Sequence, residues 1–281
     1  MRDDRRMTSE DGYLLDNQQV EAGRRLDVLA ELFNPHTFSR LTALGIAAGW
    51  RVWEVGAGGS SVPAWLAEQV GPDGRVLATD LDPSWLTAGR PDSPAERPKF
   101  EVLRHDVAAD PPPPGPFDLV HARLVLVHVP DRTAALAAMV AALRPGGWLL
   151  LEDADPALQP LACLEESGPD ERLANELRRG FRALLVQRGA DLGYGRTLPR
   201  LLRAAGLTEV AADCHFPVGG PLCDQLEIAT ISQVRDRLLA AGLAGEQQLE
   251  RHIATVASGR LDVATAPMIS AWGRKPVSIG A

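Results

Sequence analysis

Short apolar runs alternate with segments of helical spacing between residues 51 and 154, and this alternation restricts the fold more than any other feature of the chain. The runs are RVWEV, GRVLATD, KFEVLRHD, FDLVHA and GWLLLED. Two of the intervening segments, 61–70 and 131–143, are rich in alanine and leucine, with Ser61 and Asp131 as expected N-caps. Strands separated by helices require crossover connections, which produce a parallel sheet with helices on both faces. The sequence therefore predicts five strands in one α/β unit.

Further helices are expected before and after this unit in the chain. Before it, the spacing predicts one helix over residues 17–33 and a second that starts with Asn34 as N-cap and Pro35 at the first helical position. The DPPPPGP run predicts an extended loop before the fourth strand, and LRPGG predicts a turn before the fifth. After residue 155 the pattern predicts helices at 165–188, 198–205, 225–241 and 246–257, and strands at 209–218 and 268–272.

Composition excludes several classes of protein. The chain has 281 residues, 45% hydrophobic and 23% charged, which is enough apolar material for a sizeable core. Its formal charge of −8 argues against a protein that mainly binds nucleic acid. No apolar run is long enough for a membrane span and MRDDRRMTSEDG lacks the apolar stretch of a secretory signal, so we expect a cytoplasmic protein. The three cysteines include no CxxC pair and predict neither a disulfide framework nor a zinc site.

A glycine loop follows the first strand, in VWEVGAGGSS. Gly56 and Gly58 let the backbone approach a ligand closely, and the N–H groups of the next helix suit an anionic or zwitterionic ligand. Glu54 would repel a pyrophosphate but attract an ammonium group. Asp80, 24 positions after Gly56, can accept both hydroxyls of a ribose. A nicotinamide dinucleotide also fits such a loop, although Ser61 stands where its fingerprint has a third glycine.

Later motifs separate these alternatives. Asp106, after the third strand, can accept a hydrogen bond from an exocyclic amine such as that of adenine. In order, VWEVGAGGSS, VLATDLD, RHDV, FDLVHARLVLVHVPD and LRPGGWLLLEDAD resemble the motifs of class I S-adenosylmethionine-dependent methyltransferases, especially the small-molecule branch related to quinone biosynthesis. The resemblance implies an α/β, Rossmann-like sheet of seven mostly parallel strands with an antiparallel last strand, plus N-terminal helices and a helical cap.

The resemblance also divides the chain into regions with expected roles. Residues 1–12 would form a flexible N-terminus, 13–49 an N-terminal helical cap and 50–155 the cofactor-binding core. Residues 156–281 would hold helical insertions that cap the substrate, together with the last two strands of the sheet.

The implied cofactor is S-adenosyl-L-methionine, with S-adenosyl-L-homocysteine as product, and its parts are assigned to residues after each strand. In the family's pattern a glycine often stands where this chain has Ser60 and Ser61, whose N–H groups can serve the same role. The expected contacts are Glu54, Gly56, Gly58 and Ser60 for the methionine portion, Asp80 for the ribose, Leu81, Asp106 and Val107 for the adenine, and His121 to Arg123 beside the sulfonium.

Methyl transfer from a sulfonium is an in-line displacement, and an acceptor with a proton to lose benefits from a general base. His128, just after the fourth strand, is one candidate, although a histidine there can equally bond backbone at a helix start. Tyr13 lies in a segment that folds over the cofactor in relatives, with helix packing as the alternative. His215 and Tyr194 are candidates from their place in the topology alone.

Other classes of site and function stay open at this stage. Asp153 and Asp155, after the fifth strand, suggest a magnesium site. The fourth strand, however, ends in His121, Ala122 and Arg123 where such a site needs a carboxylate, so we expect no metal. The leading function is methyl transfer to O, N or C of a small, aromatic or natural-product acceptor. The alternatives are a nicotinamide-dependent oxidoreductase and a non-catalytic cofactor-binding module. No nucleic-acid partner is expected, since no NPPY-type motif is present. No membrane partner is expected either, and a homodimer is an open alternative to a monomer.

Overall fold

The structure is a computed structural model, and it describes residues 20–87 and 100–277. Its centre is a seven-stranded sheet in the order β3-β2-β1-β4-β5-β7-β6. Strand β7 is antiparallel to both of its neighbours, and every other pairing is parallel. The predicted Rossmann-like sheet with an antiparallel last strand is confirmed. The strands are β1 (Arg51–Val55), β2 (Arg75–Asp80), β3 (Glu101–Arg104), β4 (Phe117–Arg123), β5 (Leu143–Ala154), β6 (Thr208–His215) and β7 (Met268–Arg274).

Helices connect the strands, and most lie where the sequence predicts them. The Pro-rich run at 110–116 is a loop, as expected. In the described part of the chain no helix is both long and apolar enough to cross a membrane. The α-helices are α1 (Val20–Ala43), α2 (Ser61–Val70), α3 (Ser84–Thr87), α4 (Arg132–Ala142), α5 (Pro169–Gln187), α6 (Leu198–Ala204), α7 (Pro221–Ala240) and α8 (Glu246–Ala257), with a 3-10 turn at Gly195–Thr197.

Both faces of the sheet are covered, which explains why its central strands are apolar almost throughout. Trp53 and Val120 belong to a cluster that includes α4 and α6, whereas Val52 and Leu119 on the opposite face pack with Leu41 of α1 and with α2. The strand order reverses between the neighbours β1 and β4. In open α/β sheets a ligand binds in the crevice beyond the carboxyl ends of the strands at such a point.

The prediction of two N-terminal helices was wrong, because α1 continues through Pro35. A proline inside a helix removes one backbone hydrogen bond and costs about 3 kcal/mol. Contacts on both sides of it favour the continuous helix: Asn34 Oδ1 accepts from Arg123 and Thr37 Oγ1 donates to Glu152. Leu41, one turn after Thr37, is fully buried. The start predicted at residue 17 lies outside the described residues.

Smaller differences concern the element ends. Ser60, not Ser61, is the N-cap of α2 and makes no side-chain cap bond, whereas Asp131 caps α4 as predicted, accepting from the Ala134 N–H at 2.9 Å. The predicted LRPGG turn was wrong, because α4 passes directly into β5 at Leu143. The strand is irregular at this point: Gly146 adopts φ 76° and donates its N–H to the Lys275 carbonyl, and the pairing with β4 shifts register between Phe117 and Leu119. Strand β6 ends at His215, three residues earlier than predicted.

The chain divides into two compact units, each with its own core. Among the described residues, the sheet unit comprises 29–87, 100–158, 193–216 and 266–277, and the helical unit comprises 20–28, 159–192 and 217–265. Leu177, Val234 and Leu249 are central to the core of the helical unit. Its interior also holds Glu227, which accepts from Arg178 and His252. Burial acts to raise the pKa of Glu227, but those two partners outweigh it and hold the pKa at about 2.

Candidate functional site

The glycine loop lies at the switch point, directly after β1. Gly56 and Gly58 have φ angles of 59° and 62°, a left-handed conformation that favours glycine. A Cβ atom on Gly56 would lie 2.5 Å from Cγ2 of Val125, in the loop after β4. The loop after β1 therefore passes the loop after β4 at a distance that only glycine allows.

Asp80 joins the end of β2 to this glycine loop. Its Oδ2 accepts from the Gly58 N–H at 2.9 Å and its Oδ1 from the Asp82 N–H at 3.0 Å. Burial raises the pKa of Asp80, while these backbone donors act to lower it. The Leu81 N–H is a third backbone donor to this carboxylate. Because an ionised carboxylate has about four lone-pair sites, Asp80 keeps capacity for a further donor. Next to it, Leu81 is 58% exposed, a large apolar side chain on the surface.

The segment after β3 is held by its own carboxylates. Asp106 Oδ1 accepts from the N–H groups of Ala108 and Ala109, and the Asp106 N–H donates to Asp110. Val107 is buried in the core. The Asp106 side chain therefore shapes its loop first, and its predicted contact with an adenine edge stays a prediction.

Glu54 and His121 lie behind the glycine loop in a buried charged cluster. His121 is fully buried, with Nδ1 2.6 Å from Glu54 Oε2 and Nε2 3.2 Å from Glu152 Oε2. Burial acts to lower the pKa of His121, but the two carboxylates outweigh it and raise the pKa to about 9. Burial acts to raise the pKa of Glu152, but His121, Arg123 and Ser270 outweigh it and lower the pKa to about 2. The cluster is therefore a charged one at neutral pH.

Helix α1 closes this cluster. The Arg123 guanidinium donates to Thr37 Oγ1 at 3.0 Å and to Asn34 Oδ1 at 2.9 Å. Thr37 and Ser270 donate to the two oxygens of Glu152 at 2.5 and 2.6 Å. Sequence reasoning named His121 and Arg123 but missed Glu152. The signal was available, because Glu152 is a carboxylate that directly follows three leucines of a buried strand.

The candidate bases lie in different places. His128 is exposed in the loop after β4, and its N–H donates to the Val125 carbonyl at 2.9 Å. His215 ends β6 and stacks on His36, with ring centroids 4.8 Å apart. Since β5 and β7 separate β4 from β6, the two strand ends are about 14 Å apart.

Tyr194 is buried beneath the Arg132 guanidinium, which lies 4.6 Å from the centroid of the Tyr194 ring. Tyr13 lies outside the described residues. Val125 is the residue that lies against Gly56, and of these candidates His128 is the nearest to it along the chain.

The two aspartates after β5 are engaged within the protein. Asp155 accepts from the Arg196 guanidinium at 2.7 and 2.5 Å. Asp153 is 2% exposed and accepts from the Val127 N–H, while its Oδ1 has no hydrogen-bond partner among the described residues. Within residues 20–87 and 100–277, no three His, Cys, Asp or Glu side chains are grouped as they would be around a metal ion.

Burial of Asp153 predicts a pH dependence of stability. Burial first, and then the charge of Glu152, raise the pKa of Asp153 from 3.8 to about 8, against the opposing Val127 N–H and Arg132. A group with a raised folded pKa stabilises the protein below its unfolded pKa, and this contribution is lost as pH rises through the folded pKa. Asp153→Asn should therefore be more stable than the wild type at pH 8.5 and gain little at pH 4.5, measured by urea unfolding. An equal difference between variant and wild type at both pH values would show that Asp153 is ionised when folded.

Comparison with known proteins identifies the family. A family described as "Methyltransferase domain" matches residues 52–147. Methyltransferase str2 of Strobilurus tenacellus is 31% identical over 245 residues, covering 84% of this chain and 82% of that protein. A ubiquinone/menaquinone biosynthesis C-methyltransferase of Nitrosospira multiformis is 32% identical over 120 residues, covering 43% of this chain and 49% of that protein.

Solved structures agree with the fold. A phosphoethanolamine N-methyltransferase of Haemonchus contortus has a TM-score of 0.56 at 16% identity, covering 94% of this chain and 59% of that one. The YcgJ protein of Bacillus subtilis has a TM-score of 0.51 at 15% identity, covering 84% of this chain and 96% of that one. The strand order, the glycine loop and the likeness to str2 over most of both chains agree. This chain therefore belongs to the class I S-adenosylmethionine-dependent methyltransferases.

Proposed function

We propose that this methyltransferase moves a methyl group from S-adenosyl-L-methionine to a small-molecule acceptor, with the loop after β1 and the end of β2 as its cofactor site. The observation that carries the proposal is the place of Asp80. Its carboxylate accepts from the Gly58 N–H at 2.9 Å, keeps further acceptor capacity, and is followed by the exposed Leu81. A ribose between a glycine loop and an apolar surface needs this combination.

The residues present fit the cofactor part by part. Gly56 and Gly58 would let the backbone approach the methionine portion, and Glu54 would attract its ammonium group. Asp80 would accept from the ribose hydroxyls, and Leu81 would pack on the adenine. Ser60, Asp106 and Val107 complete the proposed set on the two adjoining loops.

When bound, S-adenosyl-L-methionine supplies a methyl group on a positively charged sulfur, which a nucleophile takes by in-line displacement. The chain's own contribution is to hold the two reactants in line. His121 and Arg123 serve this from behind the loop, since their nitrogen atoms bond to Glu54, Glu152 and α1. His128 would take the proton of the acceptor.

The acceptor is proposed to be an aromatic or natural-product metabolite, with O, N or C as the methylated atom. The likeness to a quinone-biosynthesis C-methyltransferase supports a small aromatic acceptor. A phosphoethanolamine N-methyltransferase of Triticum aestivum also acts on a small molecule by its name, and it is 25% identical over 70% of this chain and 35% of that protein. The formal charge of −8 disfavours a nucleic-acid acceptor. Incubation with a methyl-labelled cofactor and panels of phenols, indoles and amines tests this proposal. Label in a small product supports it, and label only in added RNA or DNA contradicts it.

His128→Ala should lower the single-turnover methylation rate by about 100-fold or more for an acceptor with a proton to lose. Affinity for S-adenosyl-L-homocysteine should not change, because the histidine acts on the acceptor. Rapid-quench measurement at saturating cofactor checks the rate, with His128→Gln as the control that keeps polarity without a base. An unchanged rate in both variants would leave His128 only a role in the loop after β4.

A further inference from the structure

The two carboxylate oxygens of Glu54 have different surroundings. Its Oε2 lies 2.6 Å from His121 Nδ1, whereas its Oε1 has no hydrogen-bond partner among the described residues. The side chain is only 2% exposed, so its orientation is set by the protein rather than by water. The arrangement leaves one carboxylate oxygen for a donor that the described residues do not supply.

The bonding capacity of the groups around His121 determines its protonation. An ionised carboxylate can accept hydrogen bonds but cannot donate them. Glu54 on β1 and Glu152 on β5 each face a different ring nitrogen of His121. A neutral imidazole has one N–H, so only the imidazolium satisfies both carboxylates. Arg123 supplies a second positive charge, and the groups that reach the cluster from α1 and β7, Thr37, Asn34 and Ser270, are uncharged. Two negative and two positive charges therefore balance inside the sheet unit.

We propose that His121 is a positioning residue for cofactor binding: its ring nitrogen, 2.6 Å from Glu54 Oε2, holds the Glu54 carboxylate in place for the ammonium group of the methionine portion. Through Glu152 the same ring ties the strand that carries the glycine loop to helix α1. This inference rests on the proposed function, because it assigns Glu54 to the cofactor. Because His121 is fully buried, we infer that it acts through Glu54 and not by its own contact with the cofactor.

Three substitutions separate the two contacts of the ring. His121→Asn keeps a donor at the position of Nδ1, His121→Gln keeps one at the position of Nε2, and His121→Leu keeps neither. Affinity for S-adenosyl-L-homocysteine should fall about tenfold or more for the Gln and Leu variants, the effect of one charge-assisted hydrogen bond, and less for Asn. Calorimetric titration well below each variant's Tm measures it. Affinities within twofold of the wild type in all three variants would overturn the inference.

Two controls exclude a general loosening of the fold. His252→Leu removes another buried histidine that bonds to a glutamate, in the helical unit, and should lower Tm without changing the affinity. 5′-Methylthioadenosine lacks the amino-acid portion, so its affinity should be the same in the His121 variants and the wild type. An equal loss for both ligands would show a merely structural role. A wild type that binds no S-adenosyl-L-homocysteine would instead overturn the proposed function.

The wild-type protein provides a test that needs no variant. Nitrogen-15 NMR of the histidine rings should show both nitrogens of His121 protonated at pH 7.5, with loss of the proton near pH 9, where the two carboxylates place its pKa. A neutral His121 ring at pH 7.5 would contradict the proposed state, even if no His121 variant folds.

Discussion

Asp80→Ala is expected to weaken binding of S-adenosyl-L-homocysteine by about 1.5 to 3 kcal/mol for each ribose hydrogen bond lost. The carboxylate also holds the Gly58 N–H at 2.9 Å, so its removal frees the glycine loop as well. Both effects act in the same direction. Isothermal titration of the variant with the homocysteine product gives the loss directly.

Asp82 is the matched control for this substitution. It follows Asp80 by two residues, is exposed, and its side chain accepts from the Ser84 N–H rather than from the glycine loop. Asp82→Ala should change the affinity by less than about 0.5 kcal/mol, as is usual for a surface position. Equal affinity of the Asp80 variant and the wild type would refute the ribose assignment.

Gly56→Ala is expected to lower the free energy of unfolding by about 2 to 5 kcal/mol and to abolish cofactor binding at micromolar concentrations. An alanine at φ 59° costs about 1 to 2 kcal/mol, and its Cβ would lie 2.5 Å from Val125 Cγ2, an overpacking that costs about 1 to 3 kcal/mol. The loop must shift to relieve the clash, and the backbone that approaches the ligand moves with it. Urea unfolding and product titration measure the two effects.

Gly59 offers a control three residues further on. No atom lies within 4 Å of a Cβ built there, and its φ is not left-handed, so Gly59→Ala should change stability by about 1 kcal/mol at most. Val125→Ala in the Gly56→Ala background should restore the part of the stability that the clash removes, but not the backbone part. Equal stability of the Gly56 and Gly59 variants would show that the close approach of the two loops is absent.

The features that the sequence predicted are local ones. Gly56, Gly58 and Asp80 stand at the ends of strands whose apolar runs are contiguous, and in a parallel sheet those ends meet at one edge. The order of β1 to β5 and of α5 to α8 is likewise encoded in segments of a few residues each. The family resemblance then added the antiparallel pairing of β7, which no local pattern specifies.

The errors came from contacts between distant parts of the chain. Pro35 signals a helix start, yet Thr37 bonds to Glu152, 115 residues away, and Asn34 bonds to Arg123, 89 residues away. These bonds keep α1 continuous across the proline. No periodicity in the segment around Pro35 reports them.

The buried charges were hidden for the same reason. His121 reads as one polar residue in a strand, and only its two partners on β1 and β5 reveal a charged cluster. Asp153 and Asp155 suggested a magnesium site that the residues at the end of the fourth strand disfavoured, but the sequence did not show that Asp153 is buried or that Asp155 bonds to Arg196. Titratable groups at strand ends therefore indicate where a site lies, but their protonation depends on the assembled sheet.

Isothermal titration of the 281-residue chain with S-adenosyl-L-homocysteine, with NAD and NADP titrated in parallel, tests the cofactor site most directly. Micromolar binding of S-adenosyl-L-homocysteine alone, at one site per chain, is the predicted result. Binding of a nicotinamide dinucleotide in its place would contradict the assignment of Glu54, Gly56, Gly58 and Asp80 to the sulfonium cofactor.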